Sequence, residues 1–227
     1  MAHAHINHSN IHFKWSKNIP PVLAVESGAE LNFDLKDGFN NLIHPGTTAA
    51  QLRDLDTSQT DPAFGPVAVE GAEPGDHITT GSSLYLPVQV AGALFSCGDG
   101  HAAQGDGEIC GTAIETPMKA RLRLTLEKDK PWVKSPHYLT SPEAKTRANS
   151  NRGQEYAAVG IDANLLEATK KGVRGAIDWL CAEKDLSREE AYMLCSVVGD
   201  LKIVEAVDMP HYAVACCIPL GIFVSEK

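Results

Sequence analysis

The sequence predicts a mainly β protein with two or three helices, and three observations carry that prediction. Apolar and polar residues alternate near both ends of the chain, a long alternating run crosses its middle, and two stretches between 163 and 198 carry helical spacing instead. Residues 20–36, PPVLAVESGAELNFDLK, alternate on both sides of Ser27-Gly28, which predicts a half-buried hairpin. A short helix over 47–56 is expected to start at Thr47 or Thr48, and a strand over 66–70 to be closed by GAEPGD. Residues 83–95 read as two strands interrupted near Pro87 and Gly92, because proline cannot donate to a sheet ladder.

In 112–126, Ala120, Leu122, Leu124 and Leu126 share one face, and Lys119, Arg121 and Arg123 share the other. That is a strand with one face on a core and one in water. A helix over 163–183, with Leu166, Val173, Ile177 and Leu180 at helical spacing, is expected to be capped by Asp162. A second helix from Ser187 to about Val198 opens on the capping box Ser187-Arg188-Glu189-Glu190. Two strands, 201–207 and 212–224, close the chain. No linker divides it, so 1–227 is expected to form a single domain.

Composition narrows the function. With 43% hydrophobic and 22% charged residues and no apolar run of membrane length, the sequence predicts neither disorder nor a membrane span. A formal net charge of −9 excludes a phosphate backbone as partner, since such binding depends on clustered Lys and Arg. The N-terminal run MAHAHINHSNIHFKW lacks a basic start followed by an apolar stretch, so no secretory leader and a cytoplasmic location are expected. Its histidines fit a strand-like or disordered leader better than a metal-binding arm. None of the six cysteines forms a CxxC pair, which predicts buried thiols.

The chemistry concentrates in one loop. Cys97 to Glu108, CGDGHAAQGDGE, packs three carboxylates, one imidazole and one amide among four glycines. Glycine allows a tight path that can aim short acidic side chains into one cavity, and Asp, His and Glu hold divalent cations or exchange protons near neutral pH. A glycine turn with Asx bonds would need far fewer residues. His44 and His211 are weaker candidates. Ser82 and Ser83 lack a GxSxG elbow, and Cys97 lacks an electropositive setting, its neighbour Asp99 being expected to raise its pKa. Trp132, His137 and Tyr138 either form a lid over a substrate or pack on a core edge.

The run GSSLYLPVQVAGALFSCGDGHAAQGDGEICGTAIE at 81–115, VEGAEPGDH at 69–77 and SREEAYMLCSVVGDLKIVEAVD at 187–208 resemble the blocks of the acetamidase/formamidase family. The resemblance implies a β-sandwich-like fold, hydrolysis of short amides to acid and ammonia, and a small-molecule substrate. Carried over by position, it points to Asp99, His101, Asp106 and Glu108, with His77 matching an upstream histidine. Joined to the chemistry of the loop, this gives Asp99, His101 and His77 as expected ligands of a divalent metal ion, zinc being the candidate, and His101, Asp106 and Glu108 as expected catalytic groups. One departure stands out: Gly75-Asp76-His77 runs almost directly into Gly81, where the family has a long insert ending in a GGN-x-D loop. A shortened member of this kind supports either a retained amidase or a scaffold turned to a lyase, isomerase or cyclase reaction on a larger molecule. The same shortening, with the apolar run YAVACCIPLGIF at the C-terminal end, predicts a homo-oligomer, most simply a dimer.

Overall fold

The structure is a computed structural model that describes residues 4–74, 76–80, 82–141 and 153–224, and for 77–80 the backbone alone. Strands dominate. In chain order they are β1 (Ala4–Ile6), β2 (Ile11–His12), β3 (Leu23–Val25), β4 (Ala29–Leu35), β5 (Ala63–Val69), β6 (His77–Thr80), β7 (Leu84–Pro87), β8 (Phe95–Gly98), β9 (His101–Ala103), β10 (Ile114–Glu115), β11 (Met118–Glu127), β12 (His137–Leu139), β13 (Glu155–Asp162), β14 (Asp200–Glu205) and β15 (Tyr212–Pro219). The α-helices are α1 (Ala49–Arg53), α2 (Leu165–Lys184) and α3 (Arg188–Val198). The chain threads back and forth between two compact units, the first formed by 1–74, 88–104 and 112–126, the second by 75–87, 105–111 and 127–227.

The first unit is sandwich-like. In one sheet β4 lies between β1, parallel, and β11, antiparallel. In the other, β5 pairs with β2, β3 and β8. Leu31, Phe33 and Leu35 of β4 face inward with Phe64, Val67 and Val69 of β5, all essentially buried, and the Phe33 ring meets that of Phe95 edge-on at 6.3 Å. The two strands expected as a hairpin over 20–36 are both present but part company: β3 joins β5 and β4 joins β11. The turn at Gly28, with φ of +88° and its N–H donating to the Leu124 carbonyl at 2.7 Å, sends the chain from one sheet to the other. Both strands then bury their apolar faces between two sheets, which stabilises them more than one isolated hairpin would. On β11 the alternation reads out as expected, with Arg121 and Arg123 outside and both bonded to Glu30.

The second unit is an antiparallel sheet in the order β6-β7-β12-β13-β15-β14, with α2 and α3 on one face. That face gathers Tyr156, Ala158, Cys216 and Ile218 under Ala176, Trp179, Leu180, Ala191 and Cys195, with Tyr156 stacked on Trp179 at 4.0 Å. The approach is close because both surfaces carry glycine: a Cβ on Gly160 would sit 2.0 Å from the Ala168 carbonyl oxygen and 2.4 Å from the Gly172 nitrogen. Asn164, not Asp162, caps α2 by accepting from the N–H groups of Leu166 and Glu167, while Asp162 accepts from Asn164 one step earlier. Leu166 is 61% exposed and lies off the buried stripe. The capping box at Ser187 forms as the sequence predicts, and the short helix starts at Thr48, one of the two expected positions, where Gln51 completes a second capping box.

The apolar C-terminal run becomes β15, paired between β13 and β14, with α2 and α3 packed on one face of it. Trp132 and His137 are not a lid: His137 is fully buried against the Tyr156 hydroxyl at 2.8 Å, and Trp132 packs on the helix-side core. The six cysteines are thiols, Cys195, Cys216 and Cys217 buried and Cys110 exposed. Among the described residues, no helix is long and apolar enough to cross a membrane.

Candidate functional site

The glycine-rich segment does not behave as one loop. Its first half, in the first unit, turns through Asp99 into β9, and the chain returns as β10 with Glu115 paired opposite His101. Asp99 adopts a left-handed φ of 55°, a conformation that Asp tolerates better than most residues. Directly paired residues of an antiparallel ladder share a face, so Glu115 is aimed at the same space as His101. His101 Nε2 lies 3.0 Å from Asp99 Oδ1 and 3.0 Å from Glu115 Oε1, with the His101 and Glu115 side chains 12% and 15% exposed and Asp99 48%.

The supporting bonds give each group a defined role. Gln104 Oε1 lies 2.6 Å from His101 Nδ1, so Nδ1 carries a proton and donates it there. Nε2 then faces two carboxylates, an arrangement that is stable only with a positive charge: a second ring proton or a bound cation. Glu115 is fixed by the Gly38 N–H at 3.2 Å to Oε2, and by the Thr112 hydroxyl and Ala113 N–H at 3.1 and 3.2 Å to Oε1. Gly38 forms the floor, where a Cβ would lie 2.5 Å from Asp99 Oδ1 and 2.7 Å from Glu115 Oε2. Burial raises the pKa of Asp99; His101 opposes that rise, and Glu115 and Asp61 add to it.

One imidazole and two carboxylates with ligand atoms mutually within 4.8 Å are the donor set of a zinc or similar divalent site. The residues fit such an ion: the imidazole presents a lone pair once Nδ1 is committed to Gln104, and the glycine floor leaves room for the carboxylates.

The model of the Acetamidase/Formamidase family matches residues 2–80 and 76–225. The chain belongs to the acetamidase/formamidase family. An acetamidase of Mycolicibacterium smegmatis is 33% identical over 94 residues, which is 41% of this chain and 23% of that protein. A formamidase of Methylophilus methylotrophus is 36% identical over 66 residues, 29% of this chain and 16% of its own length. The matched stretch therefore spans under a quarter of either curated relative. The solved structure of an acetamidase from Bacillus halodurans superposes with a TM-score of 0.81 over 96% of this chain and 98% of that one at 21% identity, which establishes the shared fold.

Within this family member, the residues singled out in sequence are distributed as follows. Asp99 and His101 lie together, and the third member of their cluster is Glu115. Glu108 belongs to the second unit, where its carboxylate lies within 4.8 Å of those of Glu205 and Asp208. Its segment is tied to β14 by a bridge between Gly107 and Glu205 and by the Ala206 N–H donating to the Gly107 carbonyl. Asp106 is exposed in that segment, and its charge raises the pKa values of Tyr138 and Lys202 among smaller causes. His77 opens β6 opposite Pro87, and its side chain lies outside the described residues. His44 and His211 are exposed. Burial pushes the Cys97 thiol up to about 12, so this sulfur is a poor nucleophile through desolvation, not through Asp99.

Glu115 is the residue that the sequence reading passed over. A signal was available: it is the single acid in 112–126, a segment otherwise apolar or basic. The pairing that brings it to His101 depends on β9 and β10, both too short to declare themselves by alternation.

Proposed function

We propose that this chain hydrolyses the C–N bond of a small linear amide of the formamide or acetamide type, with a divalent ion held by Asp99, His101 and Glu115. One observation carries the reading: His101 Nε2 stands 3.0 Å from two carboxylates while Nδ1 is committed to Gln104, a centre built for a cation. The relatives named acetamidase and formamidase supply the substrate class. A divalent ion bound there would polarise the amide carbonyl and make water more acidic. The chain's own groups do the rest. Gln104 keeps His101 in one tautomer, and Gly38, Thr112 and Ala113 hold the Glu115 carboxylate in one orientation. Asp99, half exposed, is the side of the site open to solvent and substrate.

The test is ammonia release from formamide and acetamide by protein stripped with a chelator, then reloaded with zinc or manganese, with His101→Ala as control. Activity that follows metal and vanishes in the control supports the reading; ammonia no faster than the control under every metal refutes it.

A second reading is favoured by the place where the family match divides, at 76–80, with Gly75-Asp76-His77 running almost directly into Gly81. Without the insert, the same groups would serve proton transfer on a larger molecule in a lyase, isomerase or cyclase reaction. Metal binding with no turnover of either short amide is the result that favours it.

A further inference from the structure

The sheet of the second unit is wider than its helical cover, and a cavity opens beside that cover. α2 packs on β13 and β15, so β12 and β7 extend past it. Along the flank of α2, bordered by 132–137 and Pro87, lies a cavity of about 550 Å³, and every described residue that lines it belongs to this unit. That volume falls inside the roughly 300–1,000 Å³ of small-molecule sites. Lys171, Arg174, Gly175 and Asp178 reach the cavity from α2 at helical spacing, on one stripe next to the buried stripe of Ala168, Gly172, Ala176 and Trp179. Pro87, Trp132, Pro136 and Ile161 give it apolar walls.

The charges around it do not cancel. Asp178, the single carboxylate among the described residues of the lining, is met by Arg188 of α3, Nη1 donating to Oδ1 at 2.7 Å. Its Oδ2 takes a long contact of 3.4 Å from Lys134 Nζ, whose side chain is 75% exposed. Lys171 is occupied by Asp162 at 2.7 Å and by the Ile161 carbonyl at 3.0 Å. Arg174 is exposed, with no ion pair among the described residues. Lys134, Lys171, Arg174 and Arg188 thus stand against Asp162 and Asp178, a local excess of positive charge on a chain whose formal net charge is −9. Arg174 lies one helical turn before Asp178, which Lys134 touches, so the two least engaged cations serve the same side of the cavity.

We infer that this cavity binds a small organic carboxylate, its charge held by the Arg174 guanidinium and the Lys134 ammonium, and its apolar body by Trp132, Pro136 and Ile161. A guanidinium offers a planar fork that matches a carboxylate, and Lys134 has two protons beyond the one directed at Asp178. A cationic ligand would meet the same excess of positive charge, and a neutral one would gain the walls without the ion pair. The inference goes beyond amide hydrolysis and uses none of the residues which that reading employs.

The experiment titrates two acids, flat 2-naphthoate and flexible hexanoate, into the parent protein by calorimetry and saturation-transfer NMR, each beside the alcohol and the ammonium of the same carbon skeleton. Lys134→Gln/Arg174→Gln removes the two cations from the cavity. Lys17→Gln/Lys170→Gln removes the same charge from exposed positions outside the lining, and Ile161→Glu sets an anion in the apolar wall. All the substituted positions are exposed, and circular dichroism and Tm establish folding. The expected result is that at least one acid binds the parent at least tenfold tighter than its alcohol and its ammonium. That acid should keep its affinity within twofold in Lys17→Gln/Lys170→Gln and lose at least tenfold in both Lys134→Gln/Arg174→Gln and Ile161→Glu. No binding of either acid to the parent, an alcohol that binds as tightly as its acid, or affinity within twofold of parent in folded Lys134→Gln/Arg174→Gln overturns the inference and leaves a solvent-filled hollow beside α2.

Discussion

Replacing Gly38 by alanine separates the needs of the site from those of the fold. The added Cβ would lie 2.5 Å from Asp99 Oδ1 and 2.7 Å from Glu115 Oε2. Both are the far ends of flexible side chains, so the backbone can stay in place while the carboxylates retreat by about 0.7–0.9 Å to ordinary van der Waals contact. Gly38 does not have a positive φ, so alanine is compatible with its backbone and, by restricting the unfolded chain, is worth about 0.4–1 kcal/mol of stability. Metal and substrate sites tolerate errors of only about 0.5 Å, and a misplacement near 1 Å costs roughly 100-fold, or about 2.7 kcal/mol of transition-state stabilisation. Gly38→Ala should therefore keep its Tm within about 4 °C of parent, while zinc affinity by competition with a chelating dye, and ammonia release from acetamide, fall by about 10–100-fold. Zinc affinity and turnover within twofold of parent would refute the claim that this glycine sets the carboxylate geometry. A large fall in Tm would show that the backbone, and not the side chains, absorbed the clash.

The remaining predictions concern single groups. Glu115→Gln, which keeps the shape and removes the charge, should weaken zinc binding at least tenfold in the same dye competition; unchanged affinity would remove Glu115 from the site. Because the folded pKa of Asp99 is raised above its ordinary 3.8, the metal-free native state holds that proton more tightly than the unfolded chain. Its contribution to stability is thus lost as pH rises from 3.8 through the raised value, and urea titrations across that window should show a shallower fall in Asp99→Asn than in parent. Iodoacetamide at pH 8 should label exposed Cys110 within minutes and leave Cys97, Cys216 and Cys217 untouched in native protein, read by peptide mass mapping. Gly160→Ala forces a Cβ to 2.0 Å from the Ala168 carbonyl, a backbone atom, and should cost about 3 kcal/mol or more in urea unfolding; a loss under 1 kcal/mol would mean that α2 can lift off β13 cheaply.

How far the site was legible depends on sequence distance. Asp99 and His101 stand close together among glycines, and residue type and local spacing are enough to select them. Asp106 and Glu108 share the same motif style, yet 105–111 belongs with β14 in the second unit, where Glu108 meets Glu205 and Asp208. Gly38 gave no signal at all: it matters for the side chain it lacks, a property that arises only from what surrounds it.

The sequence by itself determined the local structure: the alternation of 112–126, the capping box at Ser187, the start of the short helix at one of two threonines, the helical stripe of α2 and the mainly β character, because these depend on neighbours within a few residues. Its motifs also identified the acetamidase/formamidase family, which the family match bears out over most of the chain. Tertiary structure decided which strands pair, sending β3 and β4 to different sheets, placing β15 between β13 and β14, and setting Glu115 opposite His101. Strand pairing joins residues far apart in sequence through backbone groups common to every residue type, so the choice of partner is made by which arrangement buries the most apolar surface in the whole fold.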